Sequence, residues 1–366
     1  MVSTKKFAAA SLLLAVFLVP TACSQVASES ARPSISASAS QTPKIEYETA
    51  PLTGVSYVKG ANAYLTGPAV MGKIDNSPDA RPQNSLNQAD IVFEEMVEGG
   101  MTRFLAIWQS QLPEKFGPVR SVRPMDPDLG SPFGGIISFS GGQRPFVEAM
   151  MKTDVFVATE TNQLGKGTFK RVSDRVSPHN VMVFARQLAA QHSGIAAPKA
   201  QFDFAPTGGT ESATSAAKSV TSFSVSFPSG HPSWAWNSAA GVWLRSQYGK
   251  TETDATDRQQ LHATNVIVLK TKIDRSFKDF KYGYVPRTIV VGGGSGYVFS
   301  SGKSIPVTFQ KANQNDSIHL FDAQGKPVLL ATGNTWIELM PSDVGSINIK
   351  YVKVTATGSP SPTATR

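Results

Sequence analysis

The stretch Thr207-Gly208-Gly209-Thr210-Glu211-Ser212-Ala213-Thr214-Ser215-Ala216-Ala217-Lys218, leading to Phe223-Ser224-Val225-Ser226-Phe227, divides the chain into two differently patterned regions. Its first part is small and polar and predicts a linker over 207–218. Its second part alternates apolar and polar residues with period two, the pattern of a half-buried strand. Downstream, short strand-like runs follow at 265–269, 287–291, 296–299, 305–309, 318–321, 328–330, 335–339 and 347–355. Turn signals separate them, among them Gly292-Gly293-Gly294, Ser301-Gly302 and Asn315-Asp316, and 235–246 reads as a hairpin turning at 237–241. Residues 219–355 are therefore expected to form a β-rich domain. Upstream, 51–206 mixes strand-like runs (69–74, 91–96, 103–108, 135–139) with helical spacing at 145–152 and 181–192. Asn180 is the expected N-cap of the second helix. The expected fold is thus an α/β or α+β N-terminal domain followed by a β-rich one, in a two-domain protein with disordered ends.

The 366 residues carry a formal net charge of +8, but the 35 Lys and Arg are spread along the chain. Nucleic-acid binding needs a clustered phosphate-contacting footprint, so nucleic acid is not expected as a partner. An anionic envelope surface would feel the same field. At the start, Lys5 and Lys6 precede an apolar run over 7–19, then Thr21-Ala22-Cys23. This is the layout of an export signal over 1–22, with the chain's one cysteine, Cys23, at the position that acylation and cleavage require. Pro20 departs from the usual lipobox, and the competing reading is a plain secretory signal cut near Ala22. Two or more acyl chains would anchor the protein to the extracytoplasmic face of the membrane. Residues 23–50 are too polar to fold and read as a lipid-anchored flexible tether. The Ser- and Pro-rich 356–366 reads as a disordered tail.

Four polar clusters in the first region could carry chemistry. Asp75, Asn76 and Arg81 stand at a strand end, where they either cap local backbone or face a cleft. Glu94, Glu95 and Glu98 lie in an otherwise apolar run ending at Gly99-Gly100, with Arg103 beyond it. Counted in twos, Glu94 and Glu98 share a face. They are internally paired, or one has a raised pKa and serves as acid or base. Arg120, Ser121 and Arg123 occupy a Gly- and Pro-punctuated loop, and guanidinium pairs suit carboxylate or phosphate. His179, just before Asn180, is the best candidate for a catalytic imidazole. The expected ligand-binding set is Asp75, Asn76, Arg81, Arg103, Arg120, Ser121, Arg123 and Asn180; were the chain an enzyme, Glu94, Glu98 and His179 would do the acid–base work. No cofactor fingerprint is present. The five histidines are scattered, so no metal site is expected; Asp254, Asp257, His262 and Asn265 read as a surface loop entering a strand. The tryptophans at 234, 236, 243 and 336 read as core.

Several of these runs carry a resemblance. Asp75-Asn76-Ser77-Pro78-Asp79-Ala80-Arg81-Pro82, Val97-Glu98-Gly99-Gly100-Met101-Thr102-Arg103-Phe104, Gly117-Pro118-Val119-Arg120-Ser121-Val122-Arg123-Pro124 and Ser177-Pro178-His179-Asn180 are the main ones. With Ala263-Thr264-Asn265-Val266-Ile267-Val268 and Thr332-Gly333-Asn334-Thr335-Trp336, they resemble the YerB-like bacterial lipoprotein family over roughly 51–341. The resemblance implies a lipid-anchored protein with two family domains; it brings no catalytic residues with it. Three functions remain: an Arg-rich cleft binding an anionic glycan, lipid headgroup or carboxylate; an envelope hydrolase or transferase; or a scaffold for an envelope protein.

Overall fold

Val70–Asp75, Ile91–Met96 and Thr102–Trp108 are strands buried along their whole length. A strand covered on both faces reads as a continuous apolar run rather than an alternating one. The computed structural model describes residues 44–206, 208–216, 218–279 and 283–353. The expected signal peptide, Cys23, most of the tether and the tail lie outside the described residues. From Ile45 onward the described chain is one compact unit.

The first region is mixed α/β and the second is β-rich, as expected, and the two meet in one sheet. Its spatial order begins with His319–Phe321, Lys303–Lys311, Gly292–Ser300 and Asn265–Asp274. It continues through Thr335–Pro341, Ile91–Met96, Thr102–Trp108, Val70–Asp75, Ile136–Ser138 and Phe156–Ala158. Thr335–Pro341 pairs in parallel with a strand from each region, on either side of itself.

Period-two alternation divides the side chains of this sheet into two cores. One face sends Val92, Phe104, Trp108, Val266 and Trp336 against Phe223, Val225, Trp234 and Trp243. These partners come from Lys218–Ser226, Pro232–Asn237 and Val242–Gln247, which form a second layer together with Ser346–Tyr351. Trp336 meets Phe104 and Trp234 edge-on at 5.0 and 5.4 Å, a favoured geometry for quadrupolar rings. The other face packs Ile91, Phe93, Leu105, Ile107, Ile337 and Leu339 with Leu129, Phe146 and Met150, from helices Asp126–Gly130 and Arg144–Met151.

Three local expectations are corrected. Val181–Val183 is a strand paired with Phe169–Arg171, and the helix begins only at Ala185 with Phe184 as its N-cap. Asn180 therefore caps nothing; its amide accepts from Arg171 and donates to Val172 O. The two β-branched valines and Met182, all buried, gain more from the sheet than helical spacing offers. Gly292-Gly293-Gly294 is not a turn but the start of strand Gly292–Ser300. There a Cβ on Gly294 would strike the Phe309 ring, so the absence of side chains admits the neighbouring strand. Within the expected linker, Ser212–Ala216 is helical and Lys218 opens a strand.

Asp254 ties the loop after Val242–Gln247 to the first region. Its Oδ1 accepts from the Ser85 and Thr256 N–H groups and its Oδ2 from Asn87 N–H, at 2.7–2.9 Å. Asp257 accepts from the Asn87 amide at 3.1 Å. Among the described residues no cluster of three or more His, Cys, Asp or Glu is placed to hold a metal ion.

Candidate functional site

The register of three neighbouring strands builds the site. Asp75 lies opposite Arg103, and Arg103 opposite Glu95, so the three form a row across one face. The loop that follows Thr102–Trp108 returns along this row, with Asp75 N–H donating to Pro118 O and Arg120 N–H to Lys73 O. That return brings Arg120, Ser121 and Arg123 beside Arg103. Together with Glu98, Met101, Gly142 and Gln143 they line one open depression of about 370 Å³.

Glu98 reaches it because Ile91–Met96 ends two residues earlier. Glu98–Gly100 is a tight turn in which Gly99 and Gly100 take φ of +69° and +70°, a region that favours glycine. The turn breaks the expected alternation with Glu94. Glu98 then accepts from Arg123 Nε at 2.8 Å. Arg103 donates from Nη1 to Ser121 O at 2.8 Å, and its Nε has no hydrogen-bond partner. Burial, reinforced by Arg123, pushes the Arg103 guanidinium down to about 10. Arg120 Nε lies 3.1 Å from Asp75 Oδ2.

Burial pulls the Asp75 carboxyl upward, but Arg103, the Ser77 N–H, His179 and Arg120 together outweigh it and hold the group below its ordinary range. The His179 ring is not at a helix start. Its Nδ1 sits 2.6 Å from Asp75 Oδ2 and 3.1 Å from Ser77 Oγ, and it does not line the depression. Beneath the row, Lys73 is fully buried between Glu95 and Asp126, with Asp126 at 2.7 Å. Burial first, then the negative Asp126, pushes the Glu95 carboxyl up to about 7 despite the ammonium.

Glu94 points to the opposite face and is sealed in the core, accepting from Arg245 at 2.7 Å and Thr102 Oγ1 at 2.7 Å. Asn76 donates to the same threonine and accepts from Arg81 Nε at 3.0 Å. Arg81 also pairs with Glu252 and lines a different depression of about 530 Å³ with Tyr248. The structure therefore brings Arg103, Arg120, Ser121, Arg123 and Glu98 together, places Asp75 and His179 behind Arg120, and leaves Arg81, Asn76, Asn180 and Glu94 outside that group. The sequence reading missed Lys73, Arg245, Glu252 and Glu338. The signal for Lys73 and Glu338 was a charge inside an otherwise apolar strand run, the same signal that drew attention to Glu94.

A mixed region and a β-rich region joined through a shared sheet define a two-part architecture, and known proteins share it. The chain belongs to the family described as "Protein of unknown function (DUF3048)", matching its N-terminal domain over residues 52–197 and its C-terminal domain over 223–337. The Bacillus subtilis (strain 168) protein named "Putative lipoprotein YerB" is 26% identical over 304 residues, which is 82% of this chain and 88% of that one. The crystal structure of the YerB protein from Bacillus subtilis has the same fold. Its TM-score is 0.68 at 24% identity, covering 82% of this chain and 99% of that chain. The YerB-like membership expected from the motifs holds. Among the described residues no helix is long and apolar enough to cross a membrane.

Proposed function

We propose that this protein is a cell-envelope lipoprotein, anchored through Cys23, that holds an anionic envelope ligand in the Arg103–Arg120–Arg123 depression. One observation carries the binding part: three guanidinium groups from a strand and a loop line a single open space. Guanidinium forks match oxyanions, and such charge-assisted bonds are the strong ones. Hydrolysis or transfer has less support. Glu94 is walled off by Arg245, Glu98 is engaged by Arg123, and His179 stands behind Asp75.

The anchor is tested by Cys23→Ser, which should release the protein from the membrane fraction and abolish labelling by a fatty-acid analogue. Retention of both would exclude Cys23 as the attachment point. The cleft is tested by calorimetric titration with anionic glycan fragments. Each of Arg120→Ala and Arg123→Ala should weaken binding by about 10- to 100-fold, the worth of one charge-assisted bond of roughly 1.5–3 kcal/mol. Unchanged affinity in both would place the ligand elsewhere, and consumption of the ligand during the titration would favour the enzyme.

A further inference from the structure

We propose that the first hairpin of the folded chain is a membrane-contacting edge, whose apolar face seats in the headgroup layer of the bilayer that carries the anchor. The proposal goes beyond ligand binding and rests on the lipoprotein reading for its address. Tyr47–Thr49 pairs antiparallel with Ser56–Val58, with Tyr47 directly opposite Val58. Lys59 N–H donates to Glu46 O and carries the pairing one residue further. Side chains alternate across such a ribbon, so Ile45, Tyr47 and Val58 share one face and Glu46, Glu48 and Lys59 the other. The polar face is satisfied within itself: Glu46 accepts from Lys59 Nζ and Glu48 from Gly60 N–H, both at 2.8 Å. On the apolar face Ile45, Tyr47 and Val58 are 61%, 64% and 47% exposed. Single exposed apolar side chains are ordinary; three on one face of one short ribbon form a patch.

The ribbon is fixed at its turn and open at its ends. Leu52, in the turn, is fully buried in the core that holds Phe93 and Leu105. At Gly54, with φ of +69°, a Cβ would stand 2.4 Å from the Phe204 ring. An isolated two-stranded hairpin is marginal in water, but this one is held by its root. It therefore presents the patch already ordered, which lowers the cost of any contact it makes.

Three observations choose a bilayer as the occupant. The hairpin is the first element of the compact unit after Cys23, and residues 24–44 between them can span at most about 75 Å. No other element is tied so closely to the expected anchor. The patch is also small. Three side chains offer roughly 300 Å², against the roughly 800 Å² that each partner gives a standard protein interface. Beside a covalent lipid, however, a small apolar contact is enough, because the anchor makes it effectively intramolecular. The chemistry suits the boundary as well: a tyrosine has an apolar body and a polar tip, and Lys44 and Lys59 flank the patch with stems that can lie on it while their ammonium groups stay in water.

The test uses residues 24–366, which keep the whole compact unit and lose both the export signal and the only cysteine. A histidine tag ahead of Ser24 binds nickel-chelating lipid in phosphatidylcholine–phosphatidylglycerol vesicles and replaces the acyl anchor. Thr49→Cys, exposed beside the patch, carries a polarity-sensitive fluorophore, and Gln324→Cys on an exposed turn is the reference. On the vesicles the Thr49→Cys label should shift to shorter wavelength. Lipids with a quencher at the headgroup boundary should quench it several-fold more than the reference. Ile45→Ser, Tyr47→Ser and Val58→Ser, combined with Thr49→Cys, should bring quenching down to the reference level. If that variant misfolds, Tyr47→Ser alone should give an intermediate loss. Equal quenching of the two labels on the unaltered patch overturns the proposal and leaves the Cys23 anchor standing. A shift that needs no vesicles and accompanies a dimer mass in sedimentation assigns the face to a second copy, and overturns it too. Strong quenching here, with native protein that Cys23→Ser fails to release from membranes, keeps the hairpin contact and removes the anchor.

Discussion

Arg245→Met is expected to lower the melting temperature by about 10 °C, a loss of roughly 3–5 kcal/mol. Arg245 is fully buried between the two layers. Its Nη2 donates to Glu94 at 2.7 Å and its Nη1 pairs with Glu252. Its guanidinium carbon stands 5.0 to 5.9 Å from the ring centres of Trp336, Phe104 and Trp234, within cation–π range. Glu338 lies beside Glu94 in the parallel register and accepts from Trp234 Nε1 at 2.9 Å. Burial, then the neighbouring Glu94 charge, pushes the Glu338 carboxyl well above the ordinary range. Removing this cation leaves Glu94 buried without its charge partner in low dielectric and leaves Glu252 with Arg81 alone. Glu338→Gln is the informative contrast: it keeps the side chain's shape and the acceptor for Trp234 Nε1, so the loss should stay near ~1 kcal/mol. Differential scanning calorimetry reads both variants. A drop of less than about 2 °C for Arg245→Met would mean that the cluster contributes little to folding.

The second large effect is a fall in stability between pH 5 and 7.5, reduced in Glu95→Gln. The Glu95 carboxyl titrates near 4.5 when unfolded and about 7 when folded. The Asp90 carboxyl, raised by burial against three hydrogen bonds from Gln109 and Ser110, reaches about 6 from 3.8. In both cases the folded state binds the proton more tightly. Their stabilising contribution is complete below the unfolded values and is lost as pH rises through the folded ones. Each group can contribute a slope of at most about 1.4 kcal/mol per pH unit. Urea unfolding at pH 5, 6 and 7.5 measures it. Glu95→Gln should keep its hydrogen-bonded place beside Lys73 and flatten the slope, leaving the part that belongs to Asp90. An unchanged slope would show that Glu95 is already ionised at pH 5.

Much of the fold was legible because its signals are local. The strand predicted at 91–96 is Ile91–Met96, and the hairpin expected within 235–246 is Pro232–Asn237 paired with Val242–Gln247. The helix predicted at 145–152 is Arg144–Met151. Where Val181 and Val183 were misjudged, residues of helical spacing competed with a strand partner ten to fourteen residues upstream, and the partner is not visible in a local window. The arginine loop stood out by composition, yet its convergence with Arg103 depends on the register of Asp75, Arg103 and Glu95, which alternation alone does not set. Arg245 escaped notice for a related reason. It lies in an alternating strand where an outward cation is ordinary, and only the second layer turns that face inward.

The position of Thr335–Pro341 has a consequence for how the molecule is made. A chain that emerges amino-terminus first presents Ile91–Met96 and Asn265–Asp274 long before the strand that lies between them. Until residue 341 follows, each keeps a row of unpaired N–H and C=O groups on that side. The nascent protein cannot close its centre early, and contacts so distant in sequence form slowly. Such a polypeptide stays open at its centre until the end arrives, and a copy cut short by a few dozen residues would be left with two sticky seams where the finished molecule has none.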